Sequence, residues 1–216
     1  FGAFAEKIEK ELTLTLGKGG QERRAPPPVA IMSNGTSGDT NCIDFTRGDR
    51  RKFTYHTVAE DTARAAMEAY EKIKYVDYAP IEMEESLLTL DVRMPTDDEV
   101  AKAKAFLATE EGKKLRSVKA VYARETVLLS EMPATRQLKI QAIRIGGLGI
   151  TAMPNEVFTA TGLAIKKESP LAATFNISLA NGAEGYIPPP DQHKLGGYTT
   201  WRARTSCLEE EAETKS

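Results

Sequence analysis

Cysteine, histidine and any excess of charge are all scarce in this sequence of 216 residues. The two cysteines, Cys42 and Cys207, are too few for a disulfide framework and lack the paired spacing of a structural zinc site. The two histidines, His56 and His193, cannot alone form a zinc site built mainly from imidazoles. Lysine plus arginine (29) nearly balance aspartate plus glutamate (31), so no long-range positive field draws the chain to nucleic acid.

Long apolar runs are also missing, and this predicts that no segment crosses a membrane as a helix. The hydrophobic content of 41% is nevertheless enough to bury one core of good size. The first residue is Phe1, and an amphipathic pattern begins at once, without the architecture of a signal peptide. We interpret this start as a cut, which predicts that a targeting signal and upstream residues have been lost.

Helical and strand periods alternate along the chain. We predict helices over residues 4–17, 57–73, 96–107, 110–132 and 154–167. We predict strands over residues 29–32, 86–93, 138–145 with a bulge, 149–153 and 174–179. The alternation indicates an α/β fold, with a mixed β-sheet core flanked by helices. Residues 1–208 then belong to one domain or to part of a larger one, and the acidic residues 209–216 form a disordered tail.

Generic catalytic motifs are absent from the sequence, including the P-loop, the dinucleotide-binding glycine fingerprint, His-Glu-x-x-His and Gly-x-Ser-x-Gly. Three segments stand out instead. The first, residues 33–41, reads SNGTSGDTN and directly follows a predicted buried strand. Such a loop places backbone amides and hydroxyls at the edge of a sheet. An ordinary surface turn is an equally open interpretation.

The second segment, residues 152–159, reads AMPNEVFT and runs from a predicted strand into a predicted helix. Glu156 would lie in the first helical turn, where the helix dipole favours glutamate without any function. The third segment, residues 179–188, reads LANGAEGYIP and is followed by Tyr198 in an LGGY sequence. Such a segment is typical of a loop that lines a binding site, and equally of a packed surface loop anchored by tyrosine rings.

Taken in this order and spacing, the segments resemble the neutral/alkaline, non-lysosomal ceramidase family, from residue 1 to about 209, as the C-terminal half of its catalytic domain. In that family the first loop has the form Gly-Asp-Val-Ser-Pro-Asn and carries a nucleophilic serine. Gly38 and Asp39 match the Gly-Asp of this form, and the resemblance implies that they bind substrate. Asn41 occupies the position of the serine. Asparagine cannot accept an acyl group, but its amide can orient a water or hold the substrate. Thr36 and Ser37 are not expected to replace the serine.

The family's zinc ion is held by two histidines, a glutamate in a Pro-Gly-Glu turn and a tyrosine at a strand-to-loop turn. The resemblance implies that Glu156 and Tyr186 are the metal ligands here, although asparagine replaces the glycine of the turn. Tyr198, twelve positions after Tyr186, matches a second active-site tyrosine and would stabilise the oxyanion. The two zinc histidines belong to segments before the equivalent of residue 1. The upstream half of the polypeptide is therefore an expected partner, and a zinc-activated water the expected attacker.

The resemblance implies a zinc-dependent amide (N-acyl) hydrolase of sphingolipid metabolism, secreted or periplasmic, acting on a small-molecule or lipid N-acyl substrate. The chain ends where longer family members continue into a β-rich domain, as in bacterial ceramidase-like short forms of unassigned substrate. Two alternatives stay open. The chain is a non-catalytic binding module or fragment on this scaffold, or it is part of a metal hydrolase acting on a different amide or ester.

Overall fold

The computed structural model describes residues 1–17, 26–43, 46, 48 and 52–216. The chain divides into two compact units, although the sequence contains no obvious linker. The first unit comprises residues 1–33 and 42–78, and the second comprises residues 34–41 and 79–216. The loop predicted to carry the Gly-Asp motif thus belongs to the second unit.

The first unit is built on two predicted helices, α1 (Gly2–Gly17) and α2 (Tyr55–Tyr70), which are both confirmed. Ile8 and Ala63 are buried. Helix α2 begins two residues earlier than predicted, because Thr54 is the N-cap and exchanges hydrogen bonds with Thr57 in a capping box.

The predicted buried strand at residues 29–32 is wrong. These residues form no strand, and Val29 and Ile31 are 76% and 87% exposed. The Ala30 amide donates to the Glu9 carboxylate over 3.0 Å instead of to a strand. A short apolar run predicts burial only when another element covers it.

The second unit contains a mixed four-stranded sheet flanked by helices, which confirms the predicted fold class. Its strands are β1 (Ile81–Asp91), β2 (Thr135–Ile145), β3 (Leu148–Met153) and β5 (Ala173–Ser178), in the order β1-β2-β3-β5. The pairs β1/β2 and β2/β3 are antiparallel, and β3/β5 is parallel. Two short strands, β4 (Glu156–Val157) and β6 (Tyr186–Ile187), form a separate parallel pair.

Helices of the second unit flank the sheet. They are α3 (Asp97–Leu107), α4 (Glu110–Lys113), α5 (Val118–Ser130), α6 (Thr159–Glu168), a 3-10 helix (Pro190–Lys194) and α7 (Ala212–Lys215). The single helix predicted over residues 110–132 is wrong, because Leu115 adopts a φ of 47° and Ser117 caps a new helix. No helix within the described ranges combines the length and apolar composition needed to cross a bilayer.

The bulge predicted in β2 is also wrong. Strand β2 pairs one-to-one with β1 from Thr135 to Ile145. The change of hydrophobic phase instead reflects a strand with apolar residues on both faces. Leu138 lies on one face and is buried, whereas Ile145 lies on the other and is 37% exposed.

The hydrophobic core of the second unit includes the last residues of the chain. Its buried members are Leu90, Val92, Leu129, Leu138, Val157, Ile187, Cys207, Leu208 and Ala212. Leu208 forms an antiparallel bridge with Val92, and the Glu209 amide donates to the Asp91 carbonyl over 2.9 Å. We predicted a disordered tail over residues 209–216, and the structure places helix α7 there, with Ala212 in the core.

Candidate functional site

The carboxyl ends of the parallel strands β3 and β5 define the edge where the site lies. Met153 and Ser178 are partners at that edge, and each is followed by a turn that leaves the sheet. The Ser178 amide donates to the Asn34 carbonyl over 3.0 Å, which brings the loop of residues 34–41 to the same edge. Sheets with parallel strands commonly form ligand sites at this position.

Glu156 lies in strand β4, directly after the buried Pro154-Asn155 turn. The prediction that a helix starts at residue 154 is wrong, because α6 begins only at Thr159. The helix dipole therefore does not account for this glutamate. The Glu156 amide donates to the Gly185 carbonyl over 2.9 Å, and Glu156 is the direct partner of Tyr186 in β6.

Tyr186 and Tyr198 form an aromatic pair at the end of β6. Their ring centroids are 5.6 Å apart, with an interplanar angle of 79°. Burial, followed by hydrogen bonding with the Glu156 carboxylate, raises the pKa of Tyr186 well above its ordinary value. Tyr198 is 59% exposed. The arrangement combines a carboxylate, a protonated phenol beside it and a second phenol open to a ligand.

The Gly38-Asp39 loop docks onto the segment that carries Glu156. The Gly38 amide donates to the Val157 carbonyl over 2.7 Å, and Gly38 is buried. One carboxylate oxygen of Asp39 accepts from the Thr159 amide (2.8 Å) and from its hydroxyl (2.7 Å). Asp39 thus caps α6 from a distant part of the chain. These contacts support the turn at Glu156, while substrate binding by Gly38 and Asp39 stays a prediction.

Asn41 lies at the end of the same loop and is exposed, so a ligand can reach its amide. The neighbouring hydroxyls have packing partners instead. The Ser37 hydroxyl accepts from the Asn34 side chain over 3.0 Å, and Thr36 packs against Gly162 of α6. The structure therefore brings the loop, Glu156 and the tyrosines to one region. The catalytic role of Asn41 stays a prediction.

The oxygen donors of the site fit zinc in kind but fall short in number. Glu156 and Tyr186 lie side by side, whereas zinc normally takes four ligands, with nitrogen or sulfur among them. Within the part of the chain that the structure describes, no three His, Cys, Asp or Glu side chains form a group that could hold a metal ion. Burial lowers the pKa of His193, whose charged neighbours are Arg93, Glu210 and Glu211. His56 is an exposed residue of the first unit.

Two residues of the site were not predicted from the sequence as parts of it. Thr159 binds Asp39, and Asn155 is fully buried beneath the turn. The Asn155 amide donates to the Gly185 carbonyl over 3.2 Å, and its Oδ1 has no hydrogen-bond partner among the described residues. A threonine at a helix start is a recognisable signal. No local signal, however, links it to an aspartate 120 positions away.

Comparison with solved structures finds a ceramidase fold. A neutral ceramidase from Pseudomonas aeruginosa superposes with a TM-score of 0.57 at 14% identity, over 98% of this chain and 38% of that chain. A second structure, of a ceramidase complexed with C2, gives a TM-score of 0.45 at 12% identity, over 73% of this chain and 32% of that one. No protein-family model matches the sequence. No curated protein matches it either. The chain thus shares its fold with somewhat over a third of the Pseudomonas ceramidase.

Proposed function

We propose that the protein is a zinc-dependent amide (N-acyl) hydrolase of the neutral ceramidase type, and that this chain carries the Glu-Tyr half of its active site. The observation that supports the proposal most strongly is the β4–β6 pair. It sets Glu156 opposite Tyr186, with the Tyr198 ring beside them. The three residues that the family resemblance assigns to one site are neighbours in the fold.

Each side chain has a distinct proposed task. Glu156 and Tyr186 would hold the zinc ion together with two histidines from an upstream segment. When bound, zinc would supply a Lewis acid that polarises an amide carbonyl. Tyr198 is 59% exposed, and its hydroxyl can donate a hydrogen bond to the carbonyl oxygen as negative charge develops there. The Asn41 amide would hold a polar group of the substrate or orient a water.

The substrate class is an N-acyl compound, either a small molecule or a lipid, and we propose a secreted or periplasmic location. The similarity to the Pseudomonas ceramidase supports the acyl-amide class through the shared fold. This chain covers 38% of that enzyme, so the remainder of the active site would come from the upstream half of the polypeptide.

Zinc content measured by elemental analysis on the longest natural form of the protein tests the proposal. We expect one zinc ion per chain, together with hydrolysis of N-acyl substrates. Glu156→Gln and Tyr186→Phe should lose or weaken both, because each removes a ligand while keeping the size of the side chain. Glu68→Gln and Tyr78→Phe are matched controls, since both residues are exposed in the first unit.

Absence of zinc and of hydrolysis in the wild-type protein would refute the proposal. A second candidate would then gain, in which the chain is a non-catalytic binding module on a ceramidase-like scaffold. The small number of metal donors among the described residues favours that alternative. Zinc binding with hydrolysis of some other amide or an ester would retain the metal hydrolase and replace the substrate, so a panel of amides and esters separates these cases.

A further inference from the structure

A groove of about 860 Å³ lies beside the candidate site, within the second unit. Helix α5 forms one wall, and Ala183, Gly185 and residues 203–205 form the other. This volume falls in the range of roughly 300–1,000 Å³ that is usual for small-molecule sites. Two residues of the groove are hydrogen-bonded to the candidate site. The Gly185 carbonyl accepts from the Glu156 amide, and the Thr205 carbonyl accepts from the Tyr186 amide.

One end of the groove carries a local excess of positive charge. Glu125 is buried, and its carboxylate accepts from the Arg204 guanidinium at 2.8 and 3.0 Å and from Arg124 at 3.3 Å. Two guanidinium groups share this one carboxylate. The Arg124 and Arg204 side chains stay 45% and 46% exposed, so both can reach a ligand while Glu125 orients them.

The other charged groups of the groove do not cancel this excess locally. Arg136 is already paired with Glu184 over 2.7 Å. Glu131 lies seven residues after Arg124, which is about two helical turns, or ~10 Å, further along α5. An anionic group would therefore bind at the Arg124 end and away from Glu131.

The α5 side of the groove also carries apolar side chains. Val121 and Leu128 line it, seven positions apart on one face of the helix, and Met132 lines it just beyond the helix end. Tyr122 also lines the groove, and its ring meets the edge of Trp201 at a centroid distance of 5.4 Å. Trp201 is the single tryptophan of the sequence, so tryptophan fluorescence reports only on the surroundings of Trp201 beside the groove.

We infer that the groove binds an aliphatic carboxylate, with its head group at Arg124 and Arg204 and its chain over Leu128 and Met132. Guanidinium groups suit the head, and the apolar side chains suit a hydrocarbon chain. An acid of this class is what hydrolysis of an N-acyl compound releases. That link to catalysis rests on the proposed function, whereas binding to the groove does not.

Calorimetric titration of the full chain with octanoate at constant ionic strength, accompanied by Trp201 emission, tests the inference. We expect saturable binding with a change in emission. Butanoate should bind more than about tenfold more weakly, because it buries fewer methylene groups. Arg124→Gln should weaken octanoate binding about tenfold, because a charge-assisted contact is lost while the Glu125–Arg204 pair remains. Arg116→Gln, at an exposed arginine outside the groove, should change nothing.

Equal binding of octylammonium and octanoate would overturn the inference, as would unchanged octanoate affinity in Arg124→Gln or the absence of saturable binding. Circular dichroism of Arg124→Gln verifies that the variant is folded. The assay contains neither an amide nor zinc. A failure here therefore leaves the proposed hydrolase untouched, and a failure of the hydrolase assay leaves the groove untouched.

Discussion

Gly38 has no room for a side chain, and Gly38→Ala should therefore disturb the turn that carries Glu156. A Cβ at this position would lie 2.6 Å from the Glu156 carbonyl oxygen and 3.0 Å from Phe158 Cδ1. The nearest atom is backbone, so it cannot rotate away as the end of a side chain could. Overpacking costs about 1–3 kcal/mol, and the gain from restricting the unfolded chain offsets about 0.4–1 kcal/mol of this. We expect a net loss of about 1–2 kcal/mol.

Gly35→Ala is the matched control in the same loop. A Cβ there meets no atom of the described residues within 4 Å, and the φ of Gly35 is not positive. This variant should be neutral or slightly stabilised. Urea denaturation of both variants gives the comparison, with the thermal midpoint of Gly38→Ala expected to fall by about 2–8 °C. Equal free energies of unfolding for the two variants would show that Gly38 is not packed closely against the Glu156 backbone.

Three further predictions concern the polar contacts of the second unit. Asp39→Ala should cost about 1 kcal/mol in urea denaturation, because two hydrogen bonds to Thr159 are lost, and a cost near zero would contradict the capping role. Arg204→Met should cost about 1–2 kcal/mol at neutral pH, because Glu125 is buried whereas the Arg204 side chain is 46% exposed and Arg124 remains as a second partner. Hydrogen bonding to Arg204 lowers the pKa of Glu125 in the folded protein. The pair therefore stabilises the fold fully above the unfolded pKa of Glu125, about 4.3, and this contribution is lost as the pH falls from there through the lower folded pKa. An unchanged cost in acid would contradict the pairing. The pKa of Tyr186 is raised, so in an ultraviolet titration Tyr186→Phe should remove a phenol that ionises well above pH ~10. If the variant instead lost a phenol that ionises near pH ~10, burial of Tyr186 beside Glu156 would be contradicted.

Sequence patterns predict the elements of this fold where a residue's local period and its tertiary surroundings agree. The apolar residues of β3 and β5 meet neighbouring strands, and both strands are confirmed. Val29 and Ile31 show the same kind of run but stay exposed, because no strand in the described part of the chain pairs with them. The break before α5 depends on the left-handed conformation of Leu115, for which leucine carries no preference. The periodicity of a sequence describes one segment alone, whereas the burial of that segment also depends on the element that packs against it.

The candidate site shows the same division between local and distant information. The family resemblance implied that Glu156, Tyr186 and Tyr198 belong to one site. It did not predict how they meet, because β4 and β6 are two residues long and have no readable period. The capping of α6 by Asp39 is equally hidden, since an ordinary cap comes from the residue next to the helix.

The long reach of the loop onto α6 has a consequence for how the chain folds. Asp39 and Thr159 meet across 120 positions of sequence, so that contact closes a very large loop. Closing such a loop loses chain entropy before any contact repays it, and structures dominated by distant pairs fold slowly. Helices such as α5 need only local contacts. During refolding, the chain should recover its helical signal first and its site last.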